Sequence, residues 1–217
     1  MKKFNLTLLV LIIGLSGFAQ YKKANYFEKE GRTYSIGTRF YSLGDGRGTP
    51  MGYTFAVASD KVGKQFFSGY EFQYIPSYKF EFGTTDYYGA KVTTQGKTKG
   101  QLFYTMNLGY HLLENNEDRK IKPYIIASLN GRLFGGVKET NGDGGDARIV
   151  PETQLSFGIG GGAGCVFYVT SWLGLYGESG YTYQFNISQE GSGDNVYWLF
   201  PRHTYISAGL RFRVAGN

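Results

Sequence analysis

From Arg32 onward, apolar and polar residues alternate with period two, and no segment repeats at the 3.6-residue period of a helix. Eight such segments are separated by turn-forming residues: roughly 32–42, 50–59, 65–83, 100–113, 121–135, 153–169, 172–188 and 203–214. Alternation of this kind is the pleat of a strand whose two faces meet different surroundings. The fourth segment sets Leu102, Tyr104, Met106, Leu108, Tyr110 and Leu112 against Thr105, Asn107, Gly109 and His111. The seventh sets Leu173, Leu175, Tyr181, Tyr183, Phe185 and Ile187 against Gly174, Tyr176, Glu178, Gly180, Thr182, Gln184 and Asn186. The third places Tyr70, Phe72, Tyr74, Tyr78, Phe80 and Phe82 on one face, and Pro76 inside it marks a bulge or strand end because it cannot donate to a ladder.

The connections alternate as well. Short polar turns fall at 60–64, 114–120 and 170–172; longer loops fall at 84–99, 136–152 and 189–202, with a shorter one at 43–49. Short turns at one end and long loops at the other, on strands that reach the ~9–11 residues needed to cross a bilayer tilted, predict an all-β, eight-stranded, antiparallel up-and-down transmembrane barrel. The short turns are then periplasmic, the long loops extracellular, and an even strand number returns both ends of the barrel to the short-turn side. Residues 20–217 read as this single domain.

Charge decides which face is inside. Arg39, Glu71, Arg132, Glu178, Arg211 and Arg213 all fall opposite the aromatic and aliphatic face. Against lipid, each Arg near the midplane would cost about 2–4 kcal/mol. Tyr34, Phe40, Tyr53, Tyr104 and Tyr110 are spread along the apolar face as interfacial girdles are, and Gly37, Gly69, Gly109, Gly174, Gly180 and Gly209 lie on the polar one. A crowded lumen needs small residues beside large ones. A water-borne barrel would show the reverse, with apolar residues inside. Eight strands leave an interior that side chains fill, so the inward charges are expected to pair in a buried network rather than line an open pore.

Composition agrees with this and adds export. The N-terminus carries Lys2 and Lys3, an apolar run from Leu6 to Phe18 and a small-residue junction at Gly17-Phe18-Ala19, the layout of a Sec-type signal peptide spanning 1–19, cleaved after Ala19 or one residue later. Beyond it no run approaches the ~18–20 apolar residues of a membrane helix. The formal charge of +6 falls to +4 without Lys2 and Lys3, and no Lys/Arg cluster interleaves with aromatics, so no nucleic-acid partner is expected. Cys165 is the sole cysteine, which excludes an intramolecular disulfide, and its parity with Phe157 and Phe167 puts it on the lipid side.

One stretch imitates a cofactor site. Gly158-Ile-Gly160-Gly-Gly-Ala163 spells a G-x-G-x-x-A phosphate-binding fingerprint, but that motif needs a helix behind it, and a further strand pattern follows instead. Gly158, Gly160, Gly162 and Gly164 share the lumen parity, and large neighbours such as Tyr124, Arg132, Tyr176 or Glu178 are expected to fill the strip they clear.

The chain ends Ser207-Ala-Gly209-Leu-Arg-Phe212-Arg-Val214, which resembles the C-terminal assembly signal of outer-membrane barrels. The whole segment after the leader resembles the small eight-stranded outer-membrane barrel family, the OmpA-barrel, OmpX and OmpW kind, and the Gln after the leader with the Gly-Leu-Arg-Phe-Arg ending is similar to Bacteroidota members. Val214 departs from the usual terminal aromatic. The resemblance implies bacterial outer-membrane localisation among outer-membrane lipid and lipopolysaccharide. It also implies handling by periplasmic chaperones and the barrel-assembly machinery, with Ser207, Gly209, Phe212 and Val214 as the signal residues.

No catalytic, cofactor or metal site is expected. His111 lies inward near the periplasmic end, and His203 opens the last strand at the extracellular side without an outward His-x-Ser pair, so a lipid A hydrolase ranks low. The loop Asn141-Gly-Asp143-Gly-Gly-Asp146, with Glu139, Glu152, Glu190 and Asp194, lacks the order of a calcium loop. Trp172 and Trp198 read as interfacial anchors at opposite ends. The functional expectation is a non-enzymatic barrel with a filled lumen, acting as a structural or interaction protein, with an unknown protein partner at the extracellular loops. The alternative is a narrow porin-like conduit for small or apolar solutes. A lipid-modifying enzyme and a soluble lipocalin-like binding barrel rank below both.

Overall fold

The computed structural model describes residues 31–43, 49–85, 91–98, 100–116, 118–133, 136–141, 147–152, 155–186, 196–198 and 202–214. The signal peptide assigned to 1–19 lies outside them. Eight strands form the barrel: β1 (Arg32–Ser42), β2 (Met51–Ser59), β3 (Phe66–Ile75), β6 (Gln101–His111), β7 (Ile121–Leu133), β10 (Leu155–Tyr168), β11 (Leu173–Asn186) and β13 (Arg202–Val214). The remaining strands lie in the long connections: β4 (Lys79–Thr85), β5 (Lys91–Lys97), β8 (Gly136–Asn141), β9 (Ala147–Glu152) and β12 (Val196–Trp198). Barrel strands adjacent in sequence are adjacent in space, and β1 closes on β13 from Arg32↔Val214 to Ser42↔Thr204. The result is an antiparallel up-and-down barrel without an open edge. Among the described residues no helix is long and apolar enough to cross a membrane. The barrel strands run from 9 to 14 residues, enough to span the hydrocarbon at a tilt.

Two predicted boundaries change. The third segment, read as one strand over 65–83, stops at Ile75, and β4 pairs with β5 in a separate hairpin. Pro76 lacks the N–H that would have continued the ladder. Tyr78 therefore sits in the link before the hairpin, and Phe80 and Phe82 belong to β4 rather than to the barrel wall. The connections read as loops at 84–99 and 136–152 contain β5 and the β8–β9 hairpin, and β8 also pairs with β12 from the third long connection. A strand such as Lys91-Val-Thr-Thr-Gln-Gly-Lys97 has no apolar face, so it shows no amphipathic alternation.

Facing follows the parity of the sequence. Phe66 is 76% exposed, Leu108 68% and Ile206 66%, while Arg132 is 1% and Arg39 5% exposed. Exposed Phe40, Tyr53, Phe72, Leu129 and Ile159 continue this apolar surface around the girth, on β1, β2, β3, β7 and β10; a water-borne monomer rarely exposes a contiguous apolar patch of more than a few hundred Å².

The lumen is packed by aromatic rings seated on glycines. A β-carbon on Gly109 would lie 2.0 Å from Phe67 Cζ, one on Gly164 2.5 Å from Tyr124 Cζ, and one on Gly180 2.6 Å from the Tyr205 hydroxyl. The glycine run Gly158–Gly164 lies wholly within β10, with no helix behind it. Tyr124 covers Gly164 as expected, but Tyr205 covers Gly162, Ser128 and Thr182 cover Gly160, and Gln184 covers Gly158. Tyr176 lies instead over Gly37 and Gly209 at the β1–β13 seam, and Arg132 and Glu178 engage other partners. Parity alone assigns a face; the register between neighbouring strands sets Tyr124 opposite Gly164, Ser128 and Thr182 opposite Gly160, Gln184 opposite Gly158 and Tyr176 opposite Gly209.

At the seam a β-carbon on Gly209 would stand 2.1 Å from the Ile36 carbonyl oxygen and 2.6 Å from Gly37 Cα, whereas one on outward Gly177 meets nothing within 4 Å. Gly209→Ala is therefore expected to destabilise the refolded barrel by about 1–3 kcal/mol. Gly177→Ala should leave it unchanged or stabilise it by up to ~1 kcal/mol, because glycine weakens a strand interior. Urea midpoints of the two variants in lipid vesicles check the contrast, and matching midpoints would contradict this seam.

Candidate functional site

The central level of the lumen is organised by Arg39 on β1. Its Nη1 lies 2.8 Å from Glu71 Oε1 and its Nη2 donates to Glu71 Oε2 at 3.1 Å, a two-pronged pairing with β3. The same Nη2 donates across the lumen to Glu178 Oε1 of β11 at 3.1 Å. Glu178 also accepts from Tyr124 at 2.9 Å and from Tyr205 at 3.0 Å, while Glu71 accepts from Gln73. Gln73 accepts from Tyr41 and donates to Thr105 at 3.3 Å, Thr105 donates to Asn130 at 2.8 Å, and Asn130 donates to Ser128 at 3.2 Å. Hydrogen bonds thus connect β1, β3, β6, β7, β11 and β13 at one level. Arg39 also lies 4.0 Å from the centroid of the Tyr205 ring.

The expected six-residue charge network divides in two. Arg39, Glu71 and Glu178 pair directly. Arg132, Arg211 and Arg213 lie against ring faces: Arg132 over Phe103 at 5.7 Å, Arg211 over Tyr124 and Tyr176 at 5.3 and 5.4 Å, and Arg213 over Tyr168 at 3.9 Å. Arg211 Nε also donates to Ser35 at 3.0 Å. A guanidinium stacks on the negative face of a ring while keeping its N–H groups in plane for other partners, which explains why cations can outnumber carboxylates on the lumen face.

A second polar cluster at the short-turn end is only partly legible in the sequence, which marks His111 alone as a lumen residue. Asp60, His111, Asn115 and Lys122 are all buried. His111 Nε2 lies 3.0 Å from Asp60 Oδ1, and Asn115 Nδ2 donates to the same oxygen at 2.8 Å and to the Lys61 carbonyl at 2.9 Å. Lys122 Nζ donates to Asn115 Oδ1 at 2.5 Å. Gly63 holds φ at +75° in the intervening turn, a conformation suited to glycine, and its N–H donates to the Asn115 carbonyl at 2.7 Å. Asp60 and Asn115 stand in polar turns that read as solvent-facing, so no sequence signal marks their burial. Burial alone would raise the Asp60 carboxyl, but the His111 hydrogen bond and charge, with Arg211 and Arg213, hold it below the ordinary carboxylate range.

The other singled-out residues fall as follows. His203 is buried with its ring 5.5 Å from Tyr41, edge to face. Ser207 is buried and donates to the Thr38 carbonyl at 3.1 Å, Gly209 pairs with Gly37 and Val214 with Arg32, and Phe212 stacks on Trp172 at 6.3 Å. Cys165 is a half-buried free thiol. Asp143, Asp146, Glu190 and Asp194 lie outside the described residues.

A void of about 30 Å³ is bordered by Ser35, Glu71, Asn107, Tyr124, Glu178 and Arg211 among others. That admits about one or two waters.

No family model and no curated protein matches the chain. Solved structures match it in fold. The outer membrane protein OprG from Pseudomonas aeruginosa superposes with a TM-score of 0.55 at 12% identity, covering 88% of this chain and 98% of that one. A major outer membrane protein from Thermus thermophilus gives 0.48 at 9% identity over 84% and 98%, and Neisserial surface protein A gives 0.44 at 16% over 84% and 95%. The chain has the fold of a small eight-stranded outer-membrane β-barrel, a likeness of architecture at these identities.

Removing Arg39 leaves two buried carboxylates facing each other, so Arg39→Met is expected to destabilise the barrel by about 3–5 kcal/mol. Neutralising all three groups, with Glu71→Gln and Glu178→Gln added, should recover most of that loss in urea unfolding. A triple variant as unstable as the single one would show that Arg39 does not act through this pairing. Because the folded Asp60 carboxyl is held low, it contributes stability above the ordinary carboxylate pKa of about 3.9 and loses it as pH falls through the lower folded value. The stability gap between the native chain and Asp60→Asn should shrink as pH falls below about pH 4. A gap that widens in acid would refute the assignment.

Proposed function

We propose that the protein is an integral outer-membrane β-barrel with a sealed lumen, serving as a structural or interaction protein through its long-loop end. The observation that carries this reading is the inversion of a water-borne core: rings and aliphatic chains cover the outside while Arg39, Glu71, Arg132 and Glu178 are buried inside. Only a surrounding hydrocarbon makes that arrangement favourable. Sealing is supported by the rings on the lumen glycines and by the small size of the void beside Glu71 and Glu178. Such an interior argues against a conduit for ordinary solutes.

With the sheet assigned to the membrane, the short turns face the periplasm and the long connections face outward. The β8–β9 hairpin pairs with β12, so two of the three long connections are tied to one another by backbone hydrogen bonds. A partner protein at these loops fits that arrangement, as do surrounding lipid and lipopolysaccharide, and Ser207, Gly209, Phe212 and Val214 are proposed as the signal read by the assembly machinery. The reading assigns no catalysis to the histidines: His111 is engaged with Asp60, and His203 faces Tyr41 inside the barrel.

The expressed protein should stay with membranes through carbonate extraction and migrate faster on gels when unheated. The refolded barrel should show no defined open events in planar bilayers. Release by carbonate would refute the membrane assignment, and discrete unitary conductances would refute the sealed lumen.

A further inference from the structure

A cleft of about 290 Å³ opens at the short-turn end, where Asp118 and Lys120, between β6 and β7, meet Thr170 and Ser171 of the turn after β10, with Arg213 of β13 beside them and Tyr168 among its walls. We propose that this cleft binds the phosphoethanolamine headgroup of an inner-leaflet phospholipid, an inference that rests on the membrane reading above. Its size sits at the lower edge of small-ligand pockets, ~300–1,000 Å³, which suits a headgroup rather than a whole lipid.

Position and charge carry the argument. Phe167 and Ile121 pair across β10 and β7 and are 45% and 55% exposed on the apolar surface; Val169, the first residue past the end of β10, is 54% exposed and lines the cleft. Lys120 directly precedes Ile121, so the cleft begins one residue past the last apolar rung, where headgroups lie. Trp172, an aromatic suited to the interface, stacks on Phe212 beside it.

The walls are fixed by the fold. Tyr168 N–H donates to the Lys120 carbonyl and Arg213 N–H to the Trp172 carbonyl, each at 2.8 Å, while the Arg213 guanidinium is supported 3.9 Å from the Tyr168 ring centroid. Two cations and one carboxylate border the cleft. That set complements a phosphate, received by the exposed Lys120 with the positive charge of Arg213 behind it, joined to a primary ammonium, received by Asp118. A phosphatidylglycerol headgroup offers Asp118 no cation, and a phosphatidylcholine headgroup has no N–H to donate.

The test is native mass spectrometry of the full-length mature protein released from nanodiscs holding equal parts phosphatidylethanolamine, phosphatidylglycerol and phosphatidylcholine. The native chain should retain phosphatidylethanolamine several-fold above its share. Lys120→Ala should lose the retention, and Asp118→Asn should bring phosphatidylethanolamine level with phosphatidylglycerol. Both side chains are exposed, and unheated gel migration reports that each variant is folded. Retention in bilayer proportions, or an unchanged Lys120→Ala, would overturn the headgroup site while leaving the membrane reading intact. Equal retention of free phosphoethanolamine would overturn the lipid as its source. Failure to enter nanodiscs at all would overturn both.

Discussion

One guanidinium sets the terms for the lumen. Arg39 faces two carboxylates from different walls of the barrel, and its planar fork can satisfy both at once, which an ammonium could not do with the same geometry. Inside a closed ring of strands none of these charges can turn to bulk water, so each must find its partner across the lumen. The tyrosines that complete Glu178 and the amide chain that leaves Glu71 are consequences of that requirement. Desolvated polar groups are stabilising only when their remaining hydrogen-bond capacity is met.

The barrel therefore fixes its interior in two ways. Polar groups set direction, because an acceptor on one strand needs a donor on another. Rings set volume, because Phe67, Tyr124, Tyr176 and Tyr205 enter space that glycines on neighbouring strands leave open. Tyr124 and Tyr205 take part in both, donating to Glu178 while their rings lie on Gly164 and on Gly162 and Gly180.

Much of this architecture is legible in the sequence because the environment imposes it locally. Lipid on one side and a crowded lumen on the other force strict alternation, so strand number, facing and the inward position of the six charged residues can be read from parity. The identity of partners cannot, since it depends on the register between neighbouring strands. Tyr176 shares its strand with Glu178, yet it seats on Gly37 and Gly209 rather than on the β10 glycines. Asp60 and Asn115 escape for another reason: turns of Asp, Asn and Lys look alike whether they face solvent or fold back to cap a lumen. The β4–β5 hairpin escapes because β4, with Phe80 and Phe82, reads as a continuation of the third segment, and β5 and β8 escape because strands polar on both faces carry no period-two signal.

The seam between β1 and β13 joins the first described strand to the last, across about 180 residues of intervening chain. Loop closure over that separation offers little to drive early pairing, so β1 must wait with an unpaired edge until β13 arrives. The close approach of Gly37 and Gly209 leaves room for the Tyr176 ring and for nothing larger. Closure is thus a proofreading step: a β13 shifted by two residues would bring Ser207 or Arg211 opposite Gly37, and the ring would have no seat. A barrel that has closed is for that reason a barrel in register.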